Sequence, residues 1–379
     1  MNQEIDNPIG RQAGRQAGRQ AGRQAGRQAG RQAGRQAGIS VLRIVATLAV
    51  VWLHTNGTVW GNADIFQLSD GDVHFFGVNY YLMYWAVPVF LMITGALLLN
   101  PEKDIPYKKC FLYARRVFLA LVLFGTVFVI VMMVGSHQTV NIGRALLDVF
   151  EGKSFAHLWY LYILIGIYLT LPIFRSFIAK SSRNELTTLL VVLFCFDFVA
   201  TLFKAAGYKT AFTVPVTWPV FYLILGYYCK NFKGLIYRCK YWLLIVSAIA
   251  IGIIAYLNPV LENEWIGYDS PIVALMTAAT FNVFADMKLQ ESRALWKIDR
   301  LCFGVYLIHP LFIQATYRVL KITPMKFGVT WFGTIVLFIF FVVCSFAFSI
   351  IASLIKPLKK YVLYCFQISH TSPSFLPSQ

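Results

Sequence analysis

Ten apolar segments follow one another along this chain, at about 39–60, 75–99, 111–134, 157–175, 186–206, 213–230, 241–258, 268–285, 301–320 and 330–355. Each is near the roughly 20 residues that a helix needs to cross the hydrocarbon of a bilayer. In that solvent every backbone N–H and C=O must find a partner inside the protein, so single apolar runs of this length span as helices. Composition agrees: 58% of the 379 residues are hydrophobic and 13% are charged, about half the charge of an ordinary soluble protein. The expected fold is an all-α polytopic membrane protein, a bundle of about ten transmembrane helices.

Charge in the connecting loops orients that bundle. Lys103, Lys108, Lys109, Arg115 and Arg116 flank one connection, and Arg175, Lys180 and Arg183 the next but one. Lys230, Lys233, Arg238 and Lys240, then Lys288, Arg293, Lys297 and Arg300, continue the alternation. The loops at 61–74 and 259–267 contain no Lys or Arg, and those at 135–156, 207–212 and 321–329 are sparsely basic. Positive loops stay in the cytoplasm, so both termini are expected there, with the chain in the cytoplasmic (inner) membrane of a bacterium. Most of the net charge of +17 is accounted for by these loops and a basic tail, which removes nucleic acid as a partner. The hydrophilic first 38 residues and the spanning length of the first apolar run predict no cleaved signal peptide. Seven cysteines include no CxxC pair and none in a loop placed outside, so neither a disulfide nor a metal site is expected. Three regions follow: a cytoplasmic low-complexity tail over 1–38, a ten-helix membrane domain over 39–358, and a cytoplasmic C-terminal tail over 359–379.

The first tail contains seven copies of Arg-Gln-Ala-Gly, from Arg11 to Gly38. With no apolar face it cannot build a core and is expected to be disordered or loosely helical. A repeated GGCA tetranucleotide reads GGC-AGG-CAG-GCA, Gly-Arg-Gln-Ala, and begins again. Such a tract slips during replication, and gain or loss of one unit would switch the frame, the behaviour of phase-variable genes for surface structures. A twelve-base repeat of unrelated codons would keep the frame, and sequencing the gene separates the two.

Chemistry-bearing residues are few inside the spans. Arg43 and His54 lie eleven residues apart in the first, about three helical turns, and so leave nearly the same face about 16 Å apart along the axis. Ionisable groups at membrane depth face a protein interior or a watery cavity and mark function by default. Taken singly, Arg43 reads equally as a headgroup anchor and His54 as a helix–helix contact. Arg115 and Arg116 sit at the cytoplasmic start of the third span, where topology anchors are ordinary. His157 and Trp159 sit at the outer start of the fourth, an aromatic-belt position. His309 precedes Pro310 and either belongs to a site or bonds a carbonyl that the proline frees. Asp197 and Lys204, seven residues apart, can share a helix face as a structural ion pair.

Arg-x10-His in a first transmembrane helix resembles the membrane acyltransferase-3 family. VPVFLMITGALLL (87–99), with Pro88, Phe90, Thr94 and Gly95, is similar to that family's second-helix motif, and KKCFLYARRVF (108–118) to its basic start of the third helix. HLWYLYILIGIYLTLPIFR (157–175) and FGVYLIHPLFI (303–313) resemble its later motifs. The likeness runs from about 39 to 358, without the repeat tract, and is nearest to the enterobacterial common antigen O-acetyltransferase type. It implies transfer of an acyl group, usually acetyl from acetyl-CoA, to a hydroxyl of an extracytoplasmic glycan such as lipopolysaccharide or lipooligosaccharide. Acetyl-CoA would be a substrate, with no tightly bound cofactor and no metal. In that reading His54 is the general base or a transient acyl carrier, and Arg43 orients the donor or stabilises negative charge. Arg115 and Arg116 hold the donor's phosphates, and His157, Trp159 and His309 support the site or the acceptor. Oligomeric state is left open. The rival reading is a proton-coupled transporter of a small metabolite or glycan precursor; against it, no internal repeat relates the two halves.

Overall fold

The computed structural model describes residues 37–208, 218–259, 263–287, 289–290 and 292–363. The repeat tract up to residue 36 and the tail from 364 lie outside the described residues. Every regular element among those described is helical. In chain order they are α1 Ala37–Trp60, α2 Ala63–Phe66, α3 Asp70–Tyr81, α4 Ala86–Leu98, α5 Tyr107–Gly135, α6 Ile142–Phe150 and α7 Trp159–Lys180. There follow α8 Arg183–Ala205, α9 Trp218–Asn231, α10 Leu235–Arg238, α11 Lys240–Leu257, α12 Pro271–Ala285, α13 Arg293–Gln314 and α14 Thr330–Leu354.

The described part of each apolar segment is largely helical, and among the described residues seven spans are long and apolar enough to cross a membrane: α1, α3 with α4, α5, α7, α8, α11 and α14. The other three differ for separate reasons. The described parts of α9 and α12 are 14 and 15 residues long. The 22 residues of α13 begin with Arg293, Lys297, Asp299 and Arg300, so its apolar part is confined to the later turns.

The second apolar segment is not one continuous helix. Residues 82–85 are a turn between α3 and α4, tightened by bonds from Met83 N–H to Tyr80 C=O (3.2 Å) and Ala86 N–H to Met83 C=O (3.0 Å). The cause is Pro88, which has no N–H to give the Tyr84 carbonyl four residues back and whose ring crowds it. Backbone broken at membrane depth is tolerated where protein or a watery cavity satisfies it. This is the most enclosed of the seven spans.

Small residues set the closest helix contact. A Cβ on Gly95 of α4 would run into the carbonyl oxygen of Leu223 on α9, and one on Gly226 of α9 would run into the carbonyl of Met92 on α4. Reciprocal glycines of this kind let two backbones approach where lipid supplies no hydrophobic drive. Gly95→Ala is expected to cost about 1–3 kcal/mol through overpacking, read as loss of folded protein from the membrane on heating.

α1 and α13 run side by side in the same direction. Near their starts, the Ser40 hydroxyl (2.9 Å) and the Arg43 guanidinium (2.6 Å to each oxygen) donate to the Asp299 carboxylate. Further along, His54 meets His309, with ring centroids 5.1 Å apart. Beyond that, Arg318 donates to Asn62 Oδ1 at 3.1 Å, just past the two helix ends. Parallel neighbours start on the same side of a membrane, as the first and ninth segments do in the charge-derived topology.

Lys204 is not paired with Asp197 as the spacing predicted. Its ammonium donates to Asp269 at 2.7 Å, in the loop before α12. At the last turn of α8 the long lysine stem reaches that carboxylate at the half-exposed rim, so neither charge needs to be buried.

Candidate active site

Three histidines distant in sequence meet in one cluster. His54 comes from α1, His157 from the short 3-10 turn that leads into α7, and His309 from the later turns of α13. Ring centroids lie 5.1 Å apart for His54–His309, 5.5 Å for His157–His309 and 6.3 Å for His54–His157. His309 is fully enclosed and His157 is 3% exposed, whereas His54 is half-buried. The residue open to an incoming molecule is therefore His54, and the other two stand behind it.

Backbone contacts assign the protons on the buried pair. A carbonyl oxygen can only accept, so His157 Nε2–H donates to Leu307 C=O (3.3 Å) and His309 Nδ1–H donates to Val305 C=O (3.1 Å). In the neutral imidazole the opposite nitrogens, His157 Nδ1 and His309 Nε2, are lone-pair acceptors. Both are buried, and neither has a hydrogen-bond partner among the described residues. The carbonyl that Pro310 leaves without a helical donor is that of Tyr306, and the His309 ring reaches it as well as that of Val305. The Tyr306 hydroxyl in turn donates to the backbone carbonyl of His157, tying α13 to the start of α7. Phe128 of α5 packs edge-on to His157 at 5.3 Å.

A course of aromatic rings runs from the cluster and returns to α1. Tyr306 lies 5.6 Å from His157 and 6.1 Å from Tyr160, the neighbour of Trp159 on α7. Trp159 lies 5.3 Å from Tyr268, which stacks on Tyr84 at 4.8 Å, at the break between α3 and α4. Tyr84 meets Tyr80, and Tyr80 meets Trp60, each at 5.2 Å. Trp60 is six residues beyond His54 on α1. Trp159 thus lies on the far side of this course from the histidines rather than against them.

The arginines occupy another level. Arg43 is buried and its charge is balanced by Asp299, about 16 Å along α1 from His54. Arg115 is exposed and Arg116 half-buried on α5, about 18–20 Å along that helix from Phe128 beside His157. The fold therefore brings together His54, His157 and His309, and leaves Arg43, Arg115 and Arg116 roughly one half-membrane away. Asp299 is the functional candidate that sequence reasoning passed over. Its signal was present, since Asp299 precedes His309 by ten residues much as Arg43 precedes His54 by eleven, but pairing the two spacings needs the helices side by side. No group of His, Cys, Asp and Glu among the described residues has the geometry to hold a metal ion.

A family model described as an acyltransferase domain matches residues 36–354, from the start of α1 to the end of α14. No curated protein and no solved structure matches the chain. Helices, histidine cluster and arginine level all fall inside the matched span, and the chain belongs to the acyltransferase-3 family of membrane acyltransferases.

Proposed function

We propose that the protein carries an acetyl group from cytoplasmic acetyl-CoA to a hydroxyl of a cell-surface glycan, from a position in the bacterial inner membrane with both termini in the cytoplasm. The observation that carries this reading is the partly exposed His54 backed by two buried imidazoles, each held by a backbone carbonyl. A sugar hydroxyl is a poor nucleophile, and an imidazole that takes its proton during attack makes it a competent one. The hydroxyl oxygen bonds to the thioester carbonyl carbon as its proton passes to His54. The carbon–sulfur bond then breaks, and the departing thiolate takes the proton from the imidazolium, leaving an ester and free CoA. A transient acyl-His54 uses the same residue in two balanced steps; acid quench and mass spectrometry of the peptide carrying His54 separates the two routes.

The two levels of the site suit a long donor. Guanidinium groups pair well with phosphates, so Arg115 and Arg116 are assigned to the nucleotide end at the cytoplasmic face, with the thioester reaching toward His54. Arg43, already compensated by Asp299, is assigned to orienting the donor rather than to binding a phosphate. A variable surface polymer such as lipopolysaccharide or lipooligosaccharide is the acceptor that the repeat tract favours. The test is mass spectrometry of the surface glycan from wild type, a deletion strain and His54→Ala with protein level matched. An acetyl-sized increment present in wild type alone is the expected result. Its persistence in His54→Ala would remove the imidazole from the mechanism, and its absence from wild type would remove the glycan as acceptor.

A further inference from the structure

The aromatic course beside the histidines contains four rings that are not fully covered. Tyr84, Trp159, Trp218 and Tyr268 are each half-buried, while Trp60, Tyr160, Tyr222 and Tyr306 around them are 1–9% exposed. Lipid contact does not account for Tyr84, because it sits at the break in the most enclosed span. Tyr84 keeps accessible surface at that break, and broken backbone at depth is tolerated where protein or a watery cavity satisfies it. Tyr268 stacks on Tyr84 at 4.8 Å and on Trp218 at 5.6 Å, and the two indoles meet at 64° with centroids 5.9 Å apart. Trp159 and Trp218 thus form a corner of two flat walls with Tyr268 closing one side. Polar groups lie at its margin: the hydroxyls of Tyr84 and Tyr80 bond at 3.2 Å, and Asp269, next to Tyr268, holds Lys204.

We propose that Tyr84, Trp159, Trp218 and Tyr268 form the acceptor subsite, which holds a pyranose ring of the glycan along the aromatic course that leads to His54; this rests on the acyl-transfer reading above. A pyranose has flat C–H faces and a rim of hydroxyls, and it matches aromatic walls with a few polar groups at the edge. An aliphatic acyl chain asks for neither tyrosine hydroxyls nor an ion pair. The nucleotide of CoA asks for free cations, and the one beside this corner is already neutralised by Asp269. The course of rings joins the corner to His157 through Tyr160 and Tyr306 on one side and to α1 through Tyr80 and Trp60 on the other, so the corner and the reacting imidazole belong to one continuous aromatic course.

The experiment uses the full-length protein in nanodiscs, acetyl-CoA, and deacylated surface glycan purified from a deletion strain. Trp218→Leu and Trp159→Leu keep apolar bulk and remove the flat face. Each is expected to raise KM for the glycan about tenfold, the effect of losing one ring contact, with kcat and KM for acetyl-CoA changed less than about twofold. Trp218→Phe is expected to restore most of the glycan affinity, and Trp331→Leu, exposed on α14, to leave every constant unchanged. An unaltered glycan KM in the leucine variants overturns the subsite, and so does a joint change in kcat and both KM values, which marks a packing role. Independently of any variant, the glycan alone is expected to change the tryptophan fluorescence of the wild type saturably; no change overturns the proposal. A wild type that binds this glycan but transfers nothing to it would sink the acyl-transfer reading and leave a binding site standing.

Discussion

His54→Ala is expected to lower acetyl-CoA-dependent transfer by about 10²–10⁴-fold, the contribution of a lost general base, with the protein at its normal level in the membrane. His309→Ala and His157→Ala are expected to cost on the order of 10²-fold, because each removes a ring that fixes where His54 sits, and misplacement of a reacting group by about 1 Å has that effect. If the three rings work as a unit, the double variant His54→Ala/His309→Ala is no slower than His54→Ala alone. Transfer by His54→Ala at the wild-type rate would show that the cluster is packing and no more. Additive losses in the double variant would show two independent roles.

The second large effect is on folding. The Arg43–Asp299 pair joins α1 to α13 with side chains only 9% and 14% exposed. Asp299→Ala removes the carboxylate to which the enclosed guanidinium donates, and breaking a buried pair from one side costs about 3–5 kcal/mol. The expected result is a sharp fall in folded protein, measured by detergent-resistant monodispersity on heating. Replacing both partners, Arg43→Met with Asp299→Leu, removes the buried charge and is expected to regain most of that stability. The doubly substituted protein is expected to remain impaired in acyl transfer, with a raised KM for acetyl-CoA, because Arg43 is assigned to the donor. Full activity in that protein would reduce the pair to a structural fastening between two parallel helices.

The motif glycine and prolines gain physical reasons from the same packing. Gly95 permits the contact of α4 with Leu223 of α9. Pro88 breaks the span so that Tyr84 turns into the interior, and Pro310 follows the histidine that bonds the carbonyl one turn back. Each of these residues stood out in the sequence, but the partner that explains it lies 60 or more residues away or on another turn of backbone.

Sequence alone determined the helical membrane class, the places of the apolar segments and the face shared by Arg43 and His54, because those follow from segment length, solvent and 3.6-residue periodicity, all local quantities. Residues 157 and 309 could be picked out only as histidines in apolar surroundings. Tertiary structure decided that they meet His54, that Asp299 answers Arg43, that Lys204 pairs with Asp269 rather than Asp197, and that four half-covered rings gather at the break between α3 and α4. These are relations between helices. In a bilayer, where lipid is as apolar as the helix faces, they are set by steric fit and buried polar partners, which no pattern along a single segment contains.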